Sequence, residues 1–137
     1  MADPMYPVVM IGGVPVVDAP QEIDVANAKP FREILVQAAC REHAPAVVNM
    51  TGTRFCDSSG VKALLSAQKR AVAEGGELLL VIPPGAPLLR IFAITGIDRL
   101  IPHLADLNEA LEQAHAVVPR PLQRQAPPSV DAGLPDA

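Results

Sequence analysis

The chain has no tryptophan, and Tyr6, Phe31, Phe55 and Phe92 are its only aromatic residues. An interior without large rings must be filled by Val, Leu, Ile and Ala, and half of the 137 residues are apolar. Cysteine is scarce as well. Cys40 and Cys56 lack metal-ligand spacing and read as reduced intracellular thiols. A chain of this length buries a core without disulfides. Cys40 falls on a predicted helix as a small buried hydrophobe, whereas Cys56, next to Asp57, admits a redox role. A basic excess is missing too. The net charge of -4 leaves no electrostatic footprint for nucleic acid and no polybasic patch for a membrane. The small cluster Lys62, Lys69 and Arg70 reads as a solvated helix face. No apolar run approaches a membrane span, and Asp3 stands where a secretory leader would carry basic residues. A single cytoplasmic domain is therefore expected, with no nucleic-acid or membrane partner. Neither a Walker-type loop nor a G-x-G-x-x-G motif is present, so no cofactor and no metal are expected.

What the chain does contain is an alternation of strand and helix patterns. Residues 1–7 read as a flexible N-terminus. Val8-Val9-Met10-Ile11 and Val14 to Asp18 are strand candidates joined by Gly12-Gly13, a hairpin signal. Pro15 places the second at an edge or near its own start. A helix follows, with Ala28, Phe31, Leu35, Ala38 and Ala39 inward and Arg32, Glu33, Arg41 and Glu42 outward. Either Asp24 or Asn27 can cap it. Pro30 favours Asn27, which puts the proline at the third helical position, where no N–H bond is lost. Pro45 closes that region, and Ala46 to Met50 is a continuous apolar run of the kind found in buried parallel strands. A second helix is predicted from Val61 to Val72, with Val61, Leu64, Leu65, Gln68 and Val72 on one side and Gly75-Gly76 after it.

Glu77 to Ile82 is the next buried strand, and Pro87 opens a helix over Leu88 to Ile94 that ends at Gly96. Arg99 to His103 reads as extended. Asp106-Leu107-Asn108-Glu109 is a variant capping box for the last helix, whose inner face is Leu107, Ala110, Leu111 and Ala114. Pro119, Pro121, Pro127, Pro128 and Pro135 mark residues 118–137 as a tail too poor in core residues to pack, and expected to be disordered. The fold class is α/β: a mixed, mostly parallel sheet flanked by about four helices.

The most informative stretch is Phe55-Cys56-Asp57-Ser58-Ser59-Gly60, at the corner between the Ala46–Met50 strand and the second helix. Asp and Ser cap helices by accepting from the free first-turn N–H groups. The plain reading of Asp57-Ser58-Ser59 is such a cap. A serine there also sits at the positive end of the helix dipole, where a phosphate is tolerated.

Four segments together resemble the STAS domain family, of the bacterial anti-sigma-factor antagonist type. They are Glu22-Ile23-Asp24, Phe55 to Val61, Gly75-Gly76-Glu77-Leu78, and Thr95 to Ile101 followed by the acidic-capped helix. The resemblance runs from about Val14 to Ala116, and a STAS domain is expected over residues 8–117. It implies a non-enzymatic switching protein that binds an anti-sigma factor with serine kinase activity and frees a sigma factor. It further implies phosphorylation on Ser58, the serine after the motif aspartate, and resetting by a serine phosphatase. On the same basis Glu22, Asp24, Asp57, Ser58, Ser59, Gly60 and Lys62 form the partner-binding surface. Asp57 shapes the corner, Ser59 helps cap the helix, and Gly60 lets the partner approach. Glu22 and Asp24 are expected near the corner in space, although both also have a plain role in capping and solvating the first helix.

Two departures stand out. Asn49 replaces an aspartate common in the family, a change expected to be structural. Arg54 puts a cation before the motif, available to tune docking or to pair with Asp57. Three rival readings remain. One is a STAS subunit of a stress-signalling scaffold or transporter, with less dependence on Ser58. Another is a sensor of small ligands. The third is a hydrolase using Ser58 or Ser59 with His43, His103 or His115. It is disfavoured because the corner lacks a G-x-S-x-G elbow and the histidines have no evident partner.

Overall fold

The computed structural model describes residues 8–39 and 45–117. The expectations for residues 1–7, for the tail 118–137, and for Cys40, Arg41, Glu42 and His43 lie outside the described residues.

The chain opens with β1 (Val8–Ile11) and β2 (Val14–Asp18), an antiparallel hairpin. Its turn residues Gly12 and Gly13 both have positive φ, 58° and 84°. This is the twist-compatible turn geometry that side chains disfavour. A two-residue strand, β3 (Glu22–Ile23), precedes α1 (Ala28–Ala39). The Asn27 carbonyl accepts the Phe31 N–H at 3.1 Å, so Asn27 stands at the cap position and Pro30 at the third helical residue. Then come β4 (Pro45–Asn49), a second two-residue strand β5 (Phe55–Cys56), and α2 (Ser58–Ala73). They are followed by β6 (Glu77–Val81), α3 (Pro87–Thr95), a 3-10 turn at Ile97–Arg99, β7 (His103–Leu104) and α4 (Leu107–Val117).

The main sheet has the order β1-β2-β4-β6-β7, with β1 antiparallel and the other pairings parallel. β3 and β5 form a separate parallel pair. The central strands explain their own unbroken apolar runs. In β4, Ala46 and Val48 point into the layer holding α1, α2 and α3, whereas Val47 points into the layer holding α4. In β6, Leu78 and Leu80 take the first side and Leu79 and Val81 the second. Both faces are covered, so neither position of the strand period can be polar. The larger cluster is centred on Phe31, Leu35, Leu64, Leu88 and Phe92, all fully buried. Each such side chain contributes about 1.5–3 kcal/mol of burial energy.

The structure corrects two expectations. In α2 the inner face is Val61, Leu64, Ala67, Gln68 and Ala71, whereas Leu65 is half-buried and Val72 exposed. Small alanines at four-residue spacing take the seats against α1, which rolls the larger Leu65 and Val72 outward. The expected extended segment from Arg99 to His103 is mostly the 3-10 turn and a bend, with Ile97 and Ile101 buried and only His103–Leu104 in the sheet. In the last helix the capping box forms in shifted guise. The Glu109 N–H donates to Asp106 Oδ1 at 2.9 Å, while Glu109 Oε1 accepts from the N–H of Ala105 at 3.3 Å.

Candidate functional site at the start of α2

The corner is held from below by a short ladder. Glu22 pairs with Phe55 and Ile23 with Cys56. On either side of it the Arg54 N–H donates to the Gln21 carbonyl at 2.8 Å and the Asp57 N–H to the Ile23 carbonyl at 3.0 Å. Buried Thr53 adds a hydroxyl bond to the Pro20 carbonyl at 2.8 Å. These bonds tie the loop before α2 to the loop before α1. Glu22 and Asp24 consequently flank Phe55 and Asp57.

Asp57 caps α2. Its backbone is extended, its Oδ1 accepts from the Gly60 N–H at 3.1 Å, and its carbonyl takes the first helical bond from Val61 at 2.9 Å. Ser58 is therefore the first helical residue. It is exposed, and its hydroxyl makes no hydrogen bond with any described residue. The expected capping role of Ser59 is not observed, because Asp57 already fills it. Ser59 is half-buried and lines a groove of about 320 Å³ between α1 and α2 with Lys29, Arg32, Lys62 and Ser66. Lys62 follows Ser58 by four residues, one helical turn on the same face.

Gly60 is buried and serves the interior, not an open approach to the surface. A Cβ there would lie 2.5 Å from Cys56 Sγ and 2.7 Å from Ile23 Cγ2. Only glycine lets the first turn of α2 settle onto the β3–β5 pair. Cys56 is the floor of that contact, 2% exposed. Burial pushes its thiol up to about 12, and the neighbouring Asp57 carboxylate adds to the shift. The thiol is therefore protonated and unreactive at neutral pH, which removes the redox role the sequence admitted.

The acidic side chains have structural duties as well. Asp24 Oδ1 accepts from the Ala26 N–H at 2.9 Å, and the Asp24 N–H donates to Asn27 Oδ1 at 2.9 Å, a pair of local bonds that starts α1. Glu22 faces solvent and meets Arg54 at 3.9 Å. Arg54 thus reaches Glu22 and not Asp57, in an exposed pair that contributes little stability. Asn49 is structural: its Oδ1 accepts from the Thr51 hydroxyl at 2.6 Å and from the Thr51 N–H at 3.2 Å.

Three features escaped the sequence reading. Phe55 is 47% exposed and Val25 78% exposed, which leaves apolar surface among the acidic groups. The groove cations Lys29 and Arg32 are the third. Strand alternation with Cys56 inward was the one available signal for Phe55; helical spacing put Arg32 outward, but nothing local showed that it and Lys29 meet Lys62. Of the histidines, His103 lies on β7, and His115 on α4 bonds the Gly12 carbonyl at 2.9 Å. α4 packs on the sheet face opposite α2, which takes His115 away from the corner serines, and β7 is the edge strand beyond β6. Among the described residues no group of acidic, histidine and cysteine side chains could hold a metal ion, and no helix is long and apolar enough to cross a membrane.

Comparisons with known proteins agree with this fold. A search of curated proteins gave no match. Among solved structures, an anti-sigma factor antagonist from Mycobacterium paratuberculosis is similar with a TM-score of 0.70 at 24% identity, over 84% of this chain and 99% of that one. The Bacillus cell fate determinant SpoIIAA in its phosphorylated form is similar with a TM-score of 0.58 at 20% identity, over 79% of this chain and 97% of that one. The murine Solute Carrier 26 family member A9 anion transporter is similar with a TM-score of 0.63 at 22% identity, over 77% of this chain and 18% of that one. The family model for the STAS domain matches residues 6–114. With that match spanning most of its length, the chain belongs to the STAS domain family.

Proposed function

We propose that this protein is a bacterial, cytoplasmic anti-sigma-factor antagonist that works by docking, not by catalysis. In this reading it binds an anti-sigma factor with serine kinase activity and frees a sigma factor. Phosphorylation on Ser58 ends the binding, and a serine phosphatase restores it. The observation that carries the reading is the division of labour at the corner. Asp57 caps the helix, so the Ser58 hydroxyl is exposed and unengaged at a helix N-terminus.

The docking surface comprises Glu22, Asp24, Asp57, Ser58, Ser59 and Lys62, with Phe55 as its apolar centre. Gly60 contributes from inside, by letting the corner seat. A phosphate on Ser58 adds about -1.5 to -2 charges. It stays compatible with the fold at a helix N-terminus and is set against a partner matched to a hydroxyl and to the carboxylates around it.

The test is binding to the anti-sigma factor of the same organism. Ser58→Ala keeps wild-type affinity and Ser58→Asp loses at least about tenfold. Equal binding by wild type and Ser58→Asp would overturn the phosphorylation switch. A second reading, a STAS module serving a transporter, draws support from the likeness to the murine anion transporter. It predicts that both Ser58 variants bind their partner as the wild type does.

A further inference from the structure

The chain carries a net charge of -4, yet Lys29, Arg32 and Lys62 converge on the one groove between α1 and α2. None of the three has an ion-pair partner among the described residues. The Arg32 guanidinium is held in place, its Nε donating to the Ser66 hydroxyl at 2.6 Å. The groove is continuous with the corner through Ser59, which lines it. One surface thus has two halves of opposite sign: Glu22, Asp24 and Asp57 on the strand side of Ser58, and Lys29, Arg32 and Lys62 on the helix side.

We infer that the α1–α2 groove is a docking site for an acidic segment of the partner protein that engages the α2 corner. The inference rests on the reading of the chain as a partner-binding module. Three observations favour a peptide carboxylate over a small phosphate. The floor is made of the methyl groups of Ala28 and Ala63, which suit the aliphatic stems of acidic side chains. The cations come from both walls of the groove, Lys29 and Arg32 from α1 and Lys62 from α2. The Gly60 N–H, a first-turn donor that a phosphate at this helix would use, is occupied by Asp57. Opposite charges on the two halves fix the direction in which a partner lies across Ser58, because a reversed partner meets like charge on both.

The test is a titration of the isotope-labelled full-length protein with hexaglutamate, followed by NMR. Amide signals of Lys29, Arg32, Ser59 and Lys62 shift and saturate, and the affinity falls as salt rises from about 50 to 300 mM. The double charge reversal Lys29→Glu with Lys62→Glu weakens binding by about tenfold or more. Both positions are exposed, and Lys29→Ala with Lys62→Ala gives a milder loss should the reversal unfold the chain. Lys69→Glu, on the outer part of α2, leaves binding unchanged. No shift with hexaglutamate, or shifts that persist in the double variants, would overturn the inference. Shifts with inorganic pyrophosphate alone would overturn it in favour of a small-phosphate site. The titration does not involve phosphate transfer. Its failure leaves the proposed switch at Ser58 standing, and absence of phosphorylation leaves a positive titration standing.

Discussion

Asp57 and Ser58 are both able to cap α2, and the structure gives that task to Asp57 alone. The carboxylate takes the Gly60 N–H, and the hydroxyl stays free. The cluster was legible in the sequence as a cap, but which residue caps was not, because Asp and Ser are nearly equal in that role. Gly60 is the sharpest constraint on this arrangement. Gly60→Ala puts a methyl group into Cys56 and Ile23 and lowers stability by about 1–3 kcal/mol in urea unfolding. A loss below a few tenths of a kcal/mol would show that the first turn of α2 yields easily.

Cys56 makes a second test possible at this scale. Its thiol, held up to about 12 in the folded protein, stays protonated where the unfolded chain would ionise near its ordinary value of 9.0. The unfolded state therefore binds fewer protons from about pH 9 upward, so stability is full below that pH and falls as pH rises toward 12. Cys56→Ala removes this part of the alkaline decline, and in a Cys40→Ser background the native Cys56 thiol at pH 7.5 resists thiol reagents until the chain is unfolded. Fast labelling of the native thiol would contradict its burial.

Among the elements, α2 links core and corner. Its inner face includes one polar residue, Gln68, whose Oε1 accepts the Leu78 N–H at 2.8 Å. Gln68→Leu keeps the volume but strands that buried N–H at the head of β6, with an expected loss of about 1–3 kcal/mol in urea unfolding. The sequence marked Gln68 as inward by its spacing but could not supply its partner, which lies ten residues on, across a turn. The same limit governs the elements as a group. The four described helices were legible from their apolar period, and the strands β1, β2, β4 and β6 from apolar runs bounded by turn residues. The pair β3 and β5 was not: two residues show no period, and their pairing depends on bonds between distant loops. The roll of α2 was not legible, because large Leu65 and Val72 outweigh alanine in any pattern, although small residues are what bring two helices close. The cations of the α1–α2 groove come from separate helices, and only the fold brings Lys29 and Arg32 to Lys62.

In the whole molecule, stability and binding rest on different residues. The corner stands on a core buried on both sides of the sheet, and Phe55 and Ser58 project from it without supporting it. Phe55→Ala is therefore expected to leave thermal unfolding nearly unchanged while weakening the anti-sigma factor complex by about tenfold or more, as an exposed aromatic anchor does. Ser58→Asp, with its charge at a helix N-terminus, stays within about 1 kcal/mol of wild-type stability. The proposed switch requires that Ser58 receive the phosphate. Incubation of the full-length protein with the anti-sigma factor kinase and ATP, followed by mass-spectrometric mapping of the modified residue, tests it most directly. One phosphate is expected, on Ser58, and none on the Ser58→Ala protein. Phosphate on Ser59 or elsewhere, or stoichiometric labelling of Ser58→Ala, would contradict it.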